Sequence, residues 1–145
     1  MKSLSFNDGR ESFMVNDDPA RVIHFNPADP EIINRVLAVQ KDFTNYKPPE
    51  DIELNPDGSP KGELEKSGAY VSEFTTAMRK AFNGIFNSDV YDIIFDGQSP
   101  LCIVGQKYLY EGILDGLLVL MKPAVEAYNK KNRQKMNKYL KDLEK

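Results

Sequence analysis

Tyr70-Val71-Ser72-Glu73-Phe74-Thr75-Thr76-Ala77-Met78-Arg79-Lys80-Ala81-Phe82-Asn83-Gly84-Ile85-Phe86 decides the fold class. Its apolar residues, at 70, 71, 74, 78, 81, 82, 85 and 86, recur at i, i+3, i+4 and i+7. That spacing places them along one face of a helix with 3.6 residues per turn. The pattern predicts an amphipathic helix beginning near Ser67 and weakening at Gly84.

Toward the C-terminus, Asn87-Ser88-Asp89 reads as a cap for a short helix whose apolar residues are Val90, Tyr91, Ile93, Ile94 and Phe95. Asp96-Gly97 reads as its exit, with glycine available for the left-handed position. Leu101 to Val104 then leads into a last long helical region. Its wide apolar stripe includes Tyr108, Leu109, Ile113, Leu114, Leu117, Leu118, Met121, Val125 and Tyr128. Gly105, Gly112 and Gly116 interrupt this helix, lowering its propensity while permitting close approach of another helix. Pro123 is expected to kink it, or to end it and start another. Past Tyr128 the apolar positions thin to Met136, Tyr139, Leu140 and Leu143 on a basic background.

Toward the N-terminus lies KPPEDIELNPDGSPKGELEK, residues 47–66, with four prolines and two glycines. This composition predicts a mobile loop. Before it, Asp29 and Pro30 suit an N-cap and first helical position. Ile32, Ile33, Val36, Leu37, Gln40 and Phe43 follow with helical spacing, and Val39 and Tyr46 widen the stripe, over about 30–46. Three short apolar runs come first: Ser3–Phe6, Ser12–Val15 and Arg21–Phe25. They are separated by Asn7-Asp8-Gly9 and by Asn16-Asp17-Asp18-Pro19. They read as an antiparallel meander, which needs a helix on one face to be stable.

The fold expected is therefore α+β: a three-stranded N-terminal meander packed on a mostly helical body of four to five helices. Residues 1–128 form a single domain, and 129–145 a basic C-terminal helix. The 145 residues fit one such domain. No apolar run approaches the roughly 20 residues that span a bilayer, and Met1–Ser12 lacks the apolar core of a secretory signal. Cys102 is the single cysteine, so no intrachain disulfide can form, and its apolar neighbours suggest a buried, inert thiol in a reducing compartment.

Charge is unevenly placed. Residues 1–128 carry 12 Lys and Arg against 20 Asp and Glu, a net of −8. Residues 129–145 carry 7 against 2, a net of +5. A basic helix on an acidic body reads either as a simply solvated helix or as one that docks on an acidic protein surface, a neighbouring copy's body being one such surface. Lys131, Arg133, Lys135, Lys138 and Tyr139 are the candidate protein-binding residues. A nucleic-acid role for the same lysines is disfavoured by the acidic body and the absence of a nucleic-acid motif.

Catalytic constellations are not evident. His24 is the sole histidine and sits in a strand pattern, where facing solvent or making one hydrogen bond accounts for it. With one histidine and one cysteine far apart, no closely spaced zinc pair exists. Asn55-Pro56-Asp57-Gly58-Ser59 resembles part of a calcium loop, but the full spacing is missing, and no phosphate-binding glycine motif follows a strand. The reading is a non-enzymatic, protein-binding chain with no cofactor and no metal.

Three segments carry a family resemblance: Val22-Ile23-His24-Phe25-Asn26-Pro27-Ala28-Asp29, Phe86-Asn87-Ser88-Asp89-Val90-Tyr91-Asp92-Ile93-Ile94-Phe95-Asp96-Gly97, and Glu111-Gly112-Ile113-Leu114-Asp115-Gly116 followed by the basic terminal helix. Together they resemble small proteins of the tail modules of phages and prophages of Gram-positive bacteria, of the tail assembly chaperone type. The resemblance leaves out residues 47–66 and rests on capping and packing signatures. It implies a role in the cytoplasm of the infected host. There such a protein binds the helical tape measure protein and helps tail tube subunits polymerise around it. Apart from the resemblance, a homo-oligomer is a further partner expectation. Alternative readings are a structural virion component, such as a head–tail connector or minor tail protein, and a phage protein that inhibits or triggers a host defence protein.

Overall fold

The computed structural model describes residues 1–46, 56 and 63–143. Two strands open the fold, β1 (Glu11–Val15) and β2 (Asp18–Phe25), followed by helices α1 (Pro30–Thr44), α2 (Glu63–Phe86) and α3 (Tyr91–Phe95). A second, very short hairpin, β3 (Ile103–Val104) and β4 (Lys107–Tyr108), leads into α4 (Leu109–Leu143). The α+β class is as the sequence predicts, but the N-terminal sheet has two strands and not three. The mobile loop expected at 47–66 falls, for residues 47–55 and 57–62, outside the described residues. Its last four positions are instead the first turn of α2.

Among the described residues Ser3–Phe6 pairs with no strand, and Leu4 and Phe6 stand 87% and 72% exposed. The cause lies in the turn that follows. Asn7 Oδ1 accepts from the Gly9 N–H at 2.9 Å, and Asp8 Oδ1 accepts from the Arg10 N–H at 3.0 Å. These side chains occupy the local backbone donors and bend the chain without returning it as a strand. Gly9 is required there: φ is +74°, and a Cβ would lie 2.7 Å from the Asn26 amide nitrogen.

The β1–β2 hairpin closes through Asn16 and Asp17, both with positive φ, 51° and 59°, which matches the right-handed twist of the strands. Pairing runs from Glu11 opposite Phe25 to Met14 opposite Val22, then jumps to Val15 opposite Asp18. Pro19, Ala20 and Arg21 are thus extra residues on β2, and Pro19 has no N–H to offer a ladder. The irregularity aims Arg21 at α3.

The helices assemble as their stripes dictate. Asp29 Oδ1 accepts from the Glu31 N–H at 2.9 Å and Pro30 starts α1. Val36, Met78, Phe82 and Leu114 are essentially inaccessible to solvent, and Ile23 and Phe25 close the core from the hairpin. Truncating Phe82 to alanine would cost about 3–5 kcal/mol. The start of α3 is capped from a distance: Asn83 Oδ1 accepts from the N–H groups of Val90 and Tyr91, both at 2.9 Å. Asn87-Ser88-Asp89, the expected cap, supplies no side-chain bond to this helix start. Arg35 Nε donates to the Ile85 carbonyl at 2.8 Å, closing the end of α2.

One expectation about the last helix fails, that for Gly105, and of the two alternatives for Pro123 the end and restart is not what forms. Gly105 is not helical: with φ +67° it is the first turn residue between β3 and β4. Pro123 neither ends nor restarts the helix, since α4 runs unbroken through it to Leu143, and residues 129–143 are its continuation rather than a separate element.

Candidate protein-interaction surface

Helix α4 has two unlike halves. In the first, Tyr110, Leu114, Leu117 and Met121 are buried against α1 and the rest of the core. Contact with the body ends where Val125, Tyr128 and Asn129 lie beside Ala28, Pro30 and Ile33 at the start of α1. From Asn129 to Leu143 every residue is exposed.

The helical period ties these halves together. Counting about 100° per residue, Met136, Tyr139 and Leu143 lie within the same sector of α4 as Tyr110, Leu114, Leu117 and Met121. The core-facing stripe therefore continues past the body with no described residue beneath it. Met136, Tyr139, Leu140 and Leu143 are 50–64% exposed. Such a stripe on a projecting helix gains nothing until another surface covers it, because most helical stability in proteins comes from packing of the apolar face.

Among the residues singled out from sequence, Lys131, Lys135 and Lys138 fall at i, i+4 and i+7 and share one face. Tyr139 lies between this lysine row and the apolar seam. Arg133 is not with them: it sits about 160° from Lys131 and borders the seam on its other flank, next to Leu140.

A second feature escaped the sequence reading. Phe43, Tyr46, Tyr70, Phe74, Tyr108 and Tyr110 gather where α1, α2 and α4 meet, with neighbouring ring centroids 4.9–6.1 Å apart. Tyr108 and Tyr110 stack at 6.0 Å with planes 12° apart. Beside them a cleft of about 410 Å³ opens between α1 and α4, lined by Gln40, Thr44, Tyr46, Tyr108, Tyr110, Glu111 and Asp115. Asp115 Oδ2 receives the Lys107 ammonium at 2.8 Å and its Oδ1 the Gln40 amide at 3.2 Å. That hydrogen bond and the Asp115 charge hold the Lys107 pKa above the ordinary lysine range. Burial first, with the nearby Glu111 charge adding to it, raises the Tyr110 phenol; burial likewise raises Tyr70. The sequence signal was Lys107-Tyr108-Leu109-Tyr110-Glu111, two tyrosines flanked by opposite charges, hidden inside what read as the start of a long apolar helix.

The remaining candidates for chemistry are simply placed. His24 is exposed and its Nδ1 shares a hydrogen bond with the cross-strand Ser12 hydroxyl at 2.8 Å. Asp8, Asp29 and Asp89 line a groove with it, but each already serves the local fold: Asp8 holds the Arg10 N–H, Asp29 caps α1 and Asp89 receives the Asn83 amide. Cys102 is half-buried. Among the described residues no helix is long and apolar enough to cross a membrane, and no three His, Cys, Asp or Glu side chains gather as a metal site. No family model, curated protein or solved structure matches the chain.

Proposed function

We propose that the chain is a non-enzymatic protein-binding factor of bacteriophage tail morphogenesis, acting in the cytoplasm of the infected host on the tape measure or tail tube protein. The observation that carries the binding part is the unbroken run of the α4 apolar stripe past the body, where it becomes an exposed seam beside Lys131, Lys135 and Lys138. An amphipathic helix of this kind docks by laying its apolar face on a complementary surface, with the flanking charges setting orientation and encounter rate. A helical client that would otherwise expose its own apolar stripe is the natural counterpart. The tail assignment is carried by the resemblance in the three quoted segments.

Co-expression of the tagged chain with tape measure and tail tube proteins tests the reading. Retention of either protein on the tagged chain is expected, with retention falling as salt rises. The variant Lys131→Gln/Lys135→Gln/Lys138→Gln should lose it while its urea midpoint stays that of the parent, since these side chains are exposed and make no hydrogen bond or ion pair among the described residues. Failure to retain either tail protein would remove the tail assignment.

A further inference from the structure

The cleft and the basic arm sit at opposite ends of one helix. On α4 the cleft residues are Glu111 and Asp115, with Tyr108 and Tyr110 beside them, and the arm is centred near Met136. At 1.5 Å per residue these centres are about 37 Å apart. The 35-residue helix is continuous between them, so the arm cannot fold back to reach its own cleft.

Yet the two are complementary in chemistry. The cleft presents tyrosine rings and carboxylates, a setting that attracts ammonium groups by charge and by the ring faces. Asp115 is already engaged by the Lys107 ammonium at 2.8 Å and the Gln40 amide at 3.2 Å, which leaves Glu111, without an ion pair among the described residues, as the cleft carboxylate for an incoming ammonium. The arm presents lysines at i, i+4 and i+7 beside Tyr139 and an apolar seam, at a net of +5 over 129–145 against −8 for the preceding residues.

We propose that the cleft between α1 and α4 receives the basic arm of a second copy of this chain, so that copies associate head to tail. The proposal takes the arm as a binding surface, as in the functional reading above, and names its partner. A head-to-tail contact uses two different patches on each copy, so each bound copy still offers one arm and one cleft. Growth continues until the rotation between copies closes a ring, and otherwise gives an open chain. A tail client competing for the arm would shorten these assemblies.

Sedimentation velocity of the full chain tests this. Sedimentation coefficients should rise with protein concentration at low salt and fall back as salt is added. The arm variant Lys131→Gln/Lys135→Gln/Lys138→Gln and the cleft variant Tyr108→Ala/Glu111→Ala should each weaken self-association by about tenfold or more. Mixing the two variants should restore a complex that stops at two chains, because only one intact arm meets one intact cleft. A parent chain that stays monomeric throughout, an arm variant that associates like the parent, or a mixture that gives no dimer overturns the proposal. Should the cleft variant fold poorly, the arm variant decides alone, because its substituted side chains are exposed and make no hydrogen bond or ion pair among the described residues. Retention of a tail protein by a strictly monomeric chain would sink head-to-tail association and leave the functional reading standing.

Discussion

Arg21 and Ile94 lock the hairpin to the short helix α3. The Arg21 Nη2 donates to the Ile94 carbonyl at 2.6 Å while its Nε donates to the Ile93 carbonyl at 2.9 Å, and the side chain is only 17% exposed. A five-residue helix cannot sustain itself, so its unpaired terminal carbonyls need such partners.

Replacing Arg21 by alanine should therefore destabilise the fold by about 2–3 kcal/mol, the range for hydrogen bonds to a charged group with part of the acceptors left buried. Arg21→Lys should recover less than half, because an ammonium cannot reproduce the two-pronged geometry. Urea denaturation of the three proteins measures both. A midpoint for Arg21→Ala equal to that of the parent would show that the hairpin and α3 are not coupled.

Gly112 and Gly116 give a prediction of opposite sign. Both lie inside α4, and a Cβ added at either meets no atom within 4 Å. The close helix approach that would justify them is absent among the described residues. Gly112→Ala and Gly116→Ala should each stabilise the chain by about 0.5–1 kcal/mol through helix propensity alone. Thermal unfolding checks this, and a loss of stability in either variant would reveal a packing demand at that position.

Alkaline pH should unfold the chain early. The folded-state pKa values of Tyr46, Tyr70, Tyr91 and Tyr110 are all raised, chiefly by burial, and that of Lys107 is raised by Asp115. A group whose folded pKa exceeds its unfolded one holds its full contribution below the unfolded value and loses it as pH climbs through the folded one. For tyrosine and lysine the loss begins at about pH 10. Stability should be flat in these groups through neutral pH and decline above that point. Tyrosinate absorbance should lag behind free tyrosine and then rise together with the loss of far-UV ellipticity. A tyrosine titration that finishes before unfolding begins would contradict the raised values.

The sequence was most informative where one physical demand governs a segment. The stripe from Tyr70 to Phe86, the Asp29–Pro30 helix start and the Asp96-Gly97 exit all follow local rules, and the structure keeps each of them: Asp96 itself is left-handed at φ 49°, with Gly97 following at φ 81°. It misled where two demands compete. Ser3–Phe6 alternates like a strand, but a strand exists only with a neighbour, and the Asn7 and Asp8 side chains turn the chain away first. Pro123 breaks most helices, yet α4 tolerates it at an exposed position just past the buried Met121, where only one backbone bond is forgone. Gly105 read as a helix flaw because a two-residue strand is too short to show an alternation. The lysine row could be read from spacing, whereas the tyrosine cleft depends on α1 and α4 meeting across 75 residues of sequence from Gln40 to Asp115, a relation no local pattern contains.

An unbroken α4 carries phase as well as distance. Every residue inserted between Asn129 and Lys130 would rotate the seam by about 100° relative to the body while lengthening the arm by only 1.5 Å. One added alanine would thus turn the lysine row toward a wholly different azimuth, and seven would restore it to within about 20° at the cost of roughly 10 Å. Binding that vanishes with one insertion and returns with seven would mean that the angular setting of this rod, and not its reach, is what a partner reads.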